Sequence, residues 1–394
     1  MKLTERQQKI WDNFVIRHSR FFNSYEWFIE VAPSASLELE AFRICAKRNN
    51  KKIEVKVDTS SDAGFRWSLN FLLTWLRESD MSPLEISSHP DFRYRGVIEG
   101  FYGNPWTMDQ RLRGIEHFAD FGMNLFMIAP KDSNWQRFHW REPLTEDFLR
   151  DLQILIEAGQ RNSVSVSASV SPGLSVIYSS DEDVAAIVNR FRQQAELGAE
   201  HFGLLLDDIP DTLTNEHDIK HYSNVAQAHA DFANRVFTQM LEHIPHGRMV
   251  LCPMHYAGRG TEPYLLVMGE QLHPQIDLMW TGREICSSYL DISDAVIFER
   301  SSRRPPFYWD NYPVNDGSMS HRLHIGPITG REAGLHRYSA GLLANPSELF
   351  ECSLFPLSTI GDYLWSSTTY DAMASWEMAL AKLVVDENQK VPLR

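Results

Sequence analysis

The amino-acid sequence predicts an α/β protein, a (β/α)8 TIM barrel preceded by a small α/β domain. Three observations lead to this prediction. After about residue 93, short apolar runs alternate with amphipathic helical segments, as in a parallel sheet built from βα units. Eight such runs occur, which is the strand number of the barrel. Nearly every run ends in a polar or aromatic residue, as expected at the mouth of a barrel.

The first part of the chain is expected to form the small domain. Its predicted elements are helix, strand, helix, strand and helix, over TERQQKIWDNFVIRHS, YEWFIEVA, residues 37–50, KKIEVKVD and FRWSLNFLLTWLRES. A break follows near residues 80–93, because two prolines and polar residues interrupt the pattern there. We therefore predict the small domain over 1–90, the barrel over 93–380 and a C-terminal tail over 381–394.

The predicted barrel strands are the apolar runs YRGVIEGFYG, NLFMIAPK, SVSVSASVSP, HFGLLLDD, RMVLCPMHY, IDLMWTG, PPFYWDN and AGLLANP. One intervening helix has a candidate cap at Ser180 and a stop at Gly198, and the next is predicted over about 218–243. A doubly wound open sheet is the alternative fold. It is disfavoured because no glycine-rich dinucleotide loop follows the first run.

Composition excludes several classes of function. The formal net charge of −14 disfavours nucleic acid as a partner. Four scattered cysteines form no CxxC pair, and the HDIKH segment lacks the glutamate of a zinc-protease helix, so neither a metal nor a cofactor is predicted. The charged N-terminus does not resemble a signal peptide and no apolar run could span a membrane, so we expect a cytoplasmic protein with no membrane partner.

The residues that end the predicted strands favour a sugar as the ligand. They include carboxylates, a lysine, amides, tyrosine and tryptophan. Aromatic rings can cover the apolar faces of a sugar, while carboxylates and amides satisfy its hydroxyls. No serine–histidine–acid order and no histidine cage is evident in the set.

Asp207 and Asp208 follow the fourth run, in the string GLLLDDIPD. A magnesium–diphosphate site would need a helix here, and Pro210 disfavours helical geometry at Ile209. A structural interpretation is that one aspartate caps a loop and the other pairs with an arginine. The third interpretation is a pair of carboxylates at a glycosidic bond, of which one is protonated and one ionised. If the sugar carries a 2-acetamido group, that group can itself be the nucleophile.

Eight segments, taken in order, resemble the catalytic domain of glycoside hydrolase family 84, the O-GlcNAcases and bacterial β-N-acetylglucosaminidases. They are YRGVIEGFYGNPW (94–106), NLFMIAPKDS (124–133), WREP (140–143), SPGL (171–174), LLLDDI (204–209), WTG (280–282), WDNYPVND (309–316) and LLANP (342–346). The resemblance implies a retaining hydrolase that releases terminal β-linked GlcNAc by substrate-assisted catalysis through an oxazoline. The implied substrates are GlcNAc-bearing glycoproteins, glycopeptides or oligosaccharides.

The same resemblance assigns residue roles. Asp207 would orient the acetamido nitrogen, Asp208 would be the general acid and then base, and Tyr256 would hold the acetamido carbonyl. The remaining sugar-binding residues would be Gly100, Tyr102, Lys131, Trp309, Asn311, Asp316 and Asn345.

This chain also departs from the usual family pattern. Ser133 stands where a second acid is common, Met254-His255 where threonine and glutamate are common, and Pro210 where a charged or polar residue is common. Two alternatives stay open at this stage. One is a catalytically weak GlcNAc-binding pseudo-enzyme, and the other is a hexosaminidase that acts on polysaccharide fragments.

Overall fold

The computed structural model describes residues 2–77 and 82–384. The N-terminal part forms a four-stranded sheet in the order β1-β3-β2-β4 within those ranges. Its strands are β1 (Glu26–Pro33), β2 (Phe42–Asn49), β3 (Lys52–Thr59) and β4 (Leu84–Ser88), and its helices are α1 (Glu5–Arg17), α2 (Ser19–Phe22) and α3 (Asp62–Arg77). β1 runs parallel to β3, whereas β2 is antiparallel to both β3 and β4. Helix α3 packs against β2 and β3.

The helix predicted over residues 37–50 is wrong, because this segment contains strand β2. Phe42, Ile44 and Ala46 are buried on one face of the sheet, while Arg43 is exposed on the other. This period of two fits a strand, and pairing with β3 along the whole strand overrides any local helical preference.

The second sheet is the predicted barrel, with eight parallel strands among the described residues. They are β5 (Tyr94–Glu99), β6 (Leu125–Ile128), β7 (Ser165–Ala168), β8 (His201–Leu205), β9 (Arg248–Cys252), β10 (Asp277–Trp280), β11 (Phe307–Asp310) and β12 (Gly341–Ala344). Their order is β7-β6-β5-β12-β11-β10-β9-β8. Val170, just beyond β7, pairs in parallel with Leu204 of β8, and this bridge closes the ring. The predicted fold class is confirmed.

Helices surround this barrel and follow its strands in sequence. They are α4 (Met108–Asp120), α5 (Asn134–Arg137), α6 (Glu146–Asn162), α7 (Asp181–Glu196), α8 (Glu216–His221), α9 (Val225–His243), α10 (Pro263–Gln271), α11 (Ile292–Ser302), α12 (Phe350–Trp365) and α13 (Ala372–Leu383). Ser180 caps α7 as predicted, because its side chain accepts a hydrogen bond from the Asp183 N–H at 3.2 Å. The single helix predicted over 218–243 is instead split into α8 and α9. The backbone is extended at Tyr222, and Asn224 begins a new helix by capping it.

The strand alternation determines which side chains enter the barrel. Inward-facing residues form a separate apolar cluster inside the ring, which includes Met127, Leu205, Cys252, Met279 and Leu343. The residues on the opposite strand faces pack against the helices in the larger core cluster. Every second side chain of a strand points inward. The next inward position after the apolar residues of each strand therefore lies at the mouth of the barrel.

The last strand of the small sheet ends at Ser88 and the first barrel strand begins at Tyr94. The domain limits given above stay predictions. Residues 80 and 81 of the predicted break, and 385–394 of the predicted tail, lie outside the described residues. Among the helices that the structure describes, none is both long enough and apolar enough to cross a membrane.

Glu40 connects the small sheet to the floor of the barrel. Its carboxylate forms an ion pair with Arg95 of β5 and accepts hydrogen bonds from Asn124 Nδ2 at 3.0 Å and Trp67 Nε1 at 2.9 Å. Arg95 is only 1% exposed. Burial raises the pKa of Glu40, but the charge of Arg95 and these hydrogen bonds outweigh it, so the pKa is lowered.

Replacing Glu40 should therefore destabilise the fold. Glu40→Ala leaves a buried guanidinium without its carboxylate, and we expect a loss of about 3–5 kcal/mol in the free energy of unfolding at pH 7, measured by urea denaturation. The folded-state pKa is lowered, so this stabilisation is present above the unfolded pKa of about 4.3 and is lost as the pH falls through the folded value. The exposed Glu38→Ala is the control. Equal stability of the two variants would contradict this account.

Candidate active site

Asp207 lies at the mouth of the barrel, two residues beyond the inward-facing Leu205 of β8. It is 4% exposed, and its Oδ2 atom forms an ion pair with the ammonium group of Lys131. Its other oxygen, Oδ1, is buried and accepts no hydrogen bond from any residue that the structure describes. A buried carboxylate oxygen normally has a partner, so this atom is available to a donor on a ligand.

Asp208 has a different environment although it is the next residue. Its backbone is left-handed, with φ of 55°, and its side chain is exposed. Oδ2 accepts a hydrogen bond from the Tyr102 hydroxyl at 2.8 Å, and Oδ1 accepts one from the Tyr256 hydroxyl at 2.9 Å. Partial burial raises the pKa of Asp208, but the charge of Lys131, the two tyrosine hydroxyls and Arg137 together lower it. Without a ligand, Asp208 is therefore held in its ionised form.

Lys131 provides the positive charge at the base of the pocket. It is 5% exposed, and its ammonium group lies 5.0 Å from the centre of the Trp309 ring. Burial lowers the pKa of Lys131, but the charge of Asp207, its hydrogen bond to Lys131 and the charge of Asp208 outweigh burial. The pKa is raised overall, so Lys131 stays protonated. The buried thiol of Cys252 lies nearby, and burial keeps its pKa well above the usual value. It is therefore a neutral part of the pocket floor.

Hydrogen bonds connect the strand ends on the opposite side of the mouth. Asn311 Oδ1 accepts from Trp309 Nε1 and from Asn345 Nδ2, both at 2.9 Å. Asn345 Oδ1 accepts from the Gly100 N–H at 3.1 Å. These contacts join β5, β11 and β12 and fix the orientation of the Trp309 indole. A Cβ atom on Gly100 would lie 2.3 Å from that indole, so glycine is required here by the close approach of the ring.

The structure brings together every residue that the sequence placed in the site. Asp316 Oδ2 accepts a hydrogen bond from the Tyr102 N–H at 2.8 Å, which ties the last of them to the loop after β5. Thr281 supports Tyr256, because its N–H and its hydroxyl both donate to the Tyr256 carbonyl, at 2.8 and 3.2 Å. The proximity of these residues is observed, whereas their roles stay predictions.

Sequence reasoning did not select two arginines near the site. Arg331 forms a bidentate ion pair with Asp310, with Nε 2.8 Å from Oδ2, and both side chains are buried beside the strand end that carries Trp309. Arg137, at the end of α5, contacts both Tyr102 and Asp208. Neither arginine follows a strand directly, so the strand-end criterion could not find them.

The arrangement suits a polar ligand that brings an N–H group and a proton-accepting oxygen. The buried carboxylate of Asp207 has one free oxygen, and the second carboxylate is exposed beside it. Within residues 2–77 and 82–384, no group of three or more histidine, cysteine, aspartate or glutamate side chains is arranged to hold a metal ion. Acid–base chemistry by the two aspartates is the option that the geometry favours.

The chain is similar to a known protein family and to several known proteins. A family model described as NAGidase, beta-N-acetylglucosaminidase, matches residues 95–393. The chain is 30% identical over 278 residues to the Protein O-GlcNAcase of Rattus norvegicus and, to the same extent, to that of Mus musculus. These alignments cover 69% of this chain but 30% of each relative, so the chain spans less than a third of the length of these relatives.

Among solved structures, a mutant of the O-GlcNAc hydrolase of Thermobaculum terrenum is similar, with a TM-score of 0.75 and 38% sequence identity. The match covers 76% of this chain and 65% of that structure.

The ion pair at the base of the pocket can be tested by stability. Lys131→Met leaves the Asp207 carboxylate buried without its counter-charge, and we expect the free energy of unfolding at pH 7 to fall by about 3–5 kcal/mol in urea denaturation. Lys220→Met is the control, because Lys220 is 78% exposed and its contact with Glu216 is solvated. A Lys131 variant as stable as the control would show that the pair does not stabilise the pocket.

Proposed function

The chain belongs to the β-N-acetylglucosaminidase family, glycoside hydrolase family 84, and from this we propose that it is a retaining β-N-acetylglucosaminidase of the O-GlcNAcase type. It would hydrolyse terminal β-linked GlcNAc by substrate-assisted catalysis. The observation that supports this most directly is the free Oδ1 atom of Asp207, buried next to the exposed carboxylate of Asp208.

Asp207 would act on the acetamido group of the sugar. Its unpaired Oδ1 atom can accept the amide N–H, while its Oδ2 atom is paired with Lys131. Holding the N–H in this way makes the acetamido carbonyl oxygen a better nucleophile. That oxygen forms a bond to the anomeric carbon as the bond from this carbon to the leaving oxygen breaks.

Asp208 would be the general acid in the first step and the general base in the second. It gives a proton to the leaving oxygen as the oxazoline forms, and it then takes one from the water that opens the oxazoline at the anomeric carbon. In the free protein the Tyr256 hydroxyl donates to Asp208 at 2.9 Å. When this hydroxyl turns to the acetamido carbonyl of a bound sugar, Asp208 loses one donor that stabilised its charge. Its pKa then rises when an acid is needed.

The remaining side chains would hold the sugar ring. Trp309 and Asn311 would line the acetamido pocket, with Tyr102 nearby. The contacts to sugar hydroxyls are proposed for Gly100, Lys131, Asp316 and Asn345. The hydrogen bonds that already join these groups support the proposal, since a preorganised pocket loses little freedom when the ligand binds.

The leaving-group side of the site favours a polypeptide. The aglycone would lie beside Asp208, and two exposed apolar residues are adjacent in sequence to residues that pack in this region. Phe138 is 62% exposed and follows Arg137, which contacts Asp208. Leu174 is 46% exposed, and the adjacent Gly173 packs against Ile209. We therefore propose GlcNAc-bearing glycoproteins or glycopeptides as the substrates, with GlcNAc oligosaccharides as poorer ones.

The proposed reaction can be tested with two aryl glycosides. The protein should release 4-nitrophenol from 4-nitrophenyl β-GlcNAc but not from the matching β-glucoside, which lacks the acetamido nucleophile. Asp208→Asn should lower the turnover of substrates with poor leaving groups by about 10²–10⁴-fold, and that of activated aryl glycosides less. Asp211→Asn, an exposed aspartate in the same loop, is the control. No hydrolysis by folded protein, or cleavage of the glucoside, would refute the proposal.

The proposed aglycone preference can be tested separately. We expect kcat/KM for an O-GlcNAc peptide to exceed that for chitobiose, and a Phe138→Ser, Leu174→Ser double variant should reduce the difference by lowering only the peptide value. The double variant should hydrolyse 4-nitrophenyl β-GlcNAc at a rate close to wild type, since both side chains lie outside the sugar pocket. An unchanged ratio of the two kcat/KM values would contradict the preference.

A further inference from the structure

Arg137 has no part in the roles assigned so far, although it contacts the proposed acid directly. It is 8% exposed, its Nη1 lies 3.3 Å from the Tyr102 hydroxyl, and its Nη2 lies 3.4 Å from the main-chain oxygen of Asp208. We propose that Arg137 is a positioning residue for Asp208, which fixes both its backbone and the hydroxyl that faces its carboxylate. This inference rests on the proposed function, because it concerns the acid of that reaction.

The backbone of Asp208 requires such a contact. Side chains of successive residues in an extended strand point to opposite faces, so Asp207 and Asp208 could not both reach the pocket mouth if β8 simply continued. The left-handed conformation of Asp208, with φ of 55°, turns its side chain to the mouth. This conformation costs a non-glycine residue about 1–3 kcal/mol and persists only where the surroundings hold it. The hydrogen bond that Arg137 donates to the Asp208 carbonyl stabilises this conformation, and Arg137 itself lies outside β8.

Arg137 also sets the direction of the Tyr102 hydroxyl. A guanidinium group donates hydrogen bonds and accepts none, so the Tyr102 oxygen must be the acceptor in this contact. The single proton of the hydroxyl is then free to point to Asp208 Oδ2, 2.8 Å away. Arg137 therefore acts on the Asp208 side chain through Tyr102 and on its main chain directly.

The segment around α5, which ends at Arg137, is itself held in place. Arg190 of α7 is 2% exposed and donates to the carbonyls of Trp135 at 2.9 Å, His139 at 2.6 Å and Glu142 at 3.0 Å. These three carbonyls lie on both sides of Arg137 in sequence. A guanidinium placed on such an anchored loop can hold a neighbouring strand end, whereas one on a mobile side chain could not.

The charge of Arg137 has a measurable consequence at Asp208. The titratable groups that interact with Asp208 are Lys131, Cys252, Tyr102, Tyr256 and Arg137, and Asp207 is its neighbour in the chain. Arg137 is among those that lower its pKa. Removing this charge should raise the pKa of Asp208, and Asp208 would then stay protonated to a higher pH.

Three variants separate the positioning effect of the Arg137 hydrogen bonds from the effect of its charge on Asp208. Arg137→Met removes both the donors and the charge, Arg137→Lys keeps the charge but cannot reach both acceptors, and Arg192→Met on the exposed surface of α7 is the control. The measurements are the pH profile of kcat/KM, the ratio of turnover on poor and activated leaving groups, and the ¹³C titration of the Asp208 carboxyl, assigned with Asp208→Asn. The carboxyl titration does not depend on activity.

In Arg137→Met we expect the basic limb of the pH profile and the Asp208 titration to move to higher pH. Turnover on poor leaving groups should fall at least about tenfold more than on activated ones. Arg137→Lys should keep the wild-type titration but show the same selective loss. If Arg137→Met does not fold, Arg137→Lys still tests the positioning.

A uniform loss on all substrates with an unchanged titration would overturn the inference. Wild-type protein that lacks activity would refute the proposed function instead, while the titration would still test the contact.

Discussion

The site depends on an ionised carboxylate kept out of water. Asp207 and Lys131 are both almost completely buried, and neither charge would be tolerated at that depth without the other. The ion pair uses one oxygen of Asp207 and leaves the second without a partner, so part of the desolvation cost is left for a ligand to relieve. The indole of Trp309, near the Lys131 ammonium, and the missing side chain of Gly100 complete a pocket that is shaped before any ligand arrives.

The two adjacent aspartates have different chemistry because their surroundings differ. Asp207 is buried and pairs with Lys131, whereas Asp208 has a left-handed backbone and accepts hydrogen bonds from two phenol hydroxyls. Separate environments for two carboxylates are what acid–base catalysis requires, since one group must stay ionised while the other exchanges a proton. One residue in an unusual backbone conformation is enough to create that difference, because it changes the direction of a side chain without moving the strand.

Much of the barrel and its mouth could be predicted from the sequence, because strand period and strand-end chemistry are local signals. All eight barrel strands fall on the predicted apolar runs, and the residues placed at their ends do meet. The errors arise where tertiary contacts, and not the local sequence, determine the structure. Strand β2 was predicted as a helix, and its pairing with β3 is not a local property. Arg137 ends the short helix α5, and its contact with Asp208 depends on how the segment around α5 packs against α7, which is not visible as a local sequence pattern.

The departures from the family pattern can be located in the same way. Ser133 precedes the short helix α5, and Pro210 is exposed beyond the two aspartates, whereas the Asp207–Lys131 pair is buried. His255 stacks on the buried ring of Tyr264, with ring centres 4.9 Å apart. None of these positions is Lys131, Tyr102 or Tyr256, the residues whose side chains bond to the two carboxylates. A reaction that depends on those bonds can therefore persist while the choice of leaving group changes.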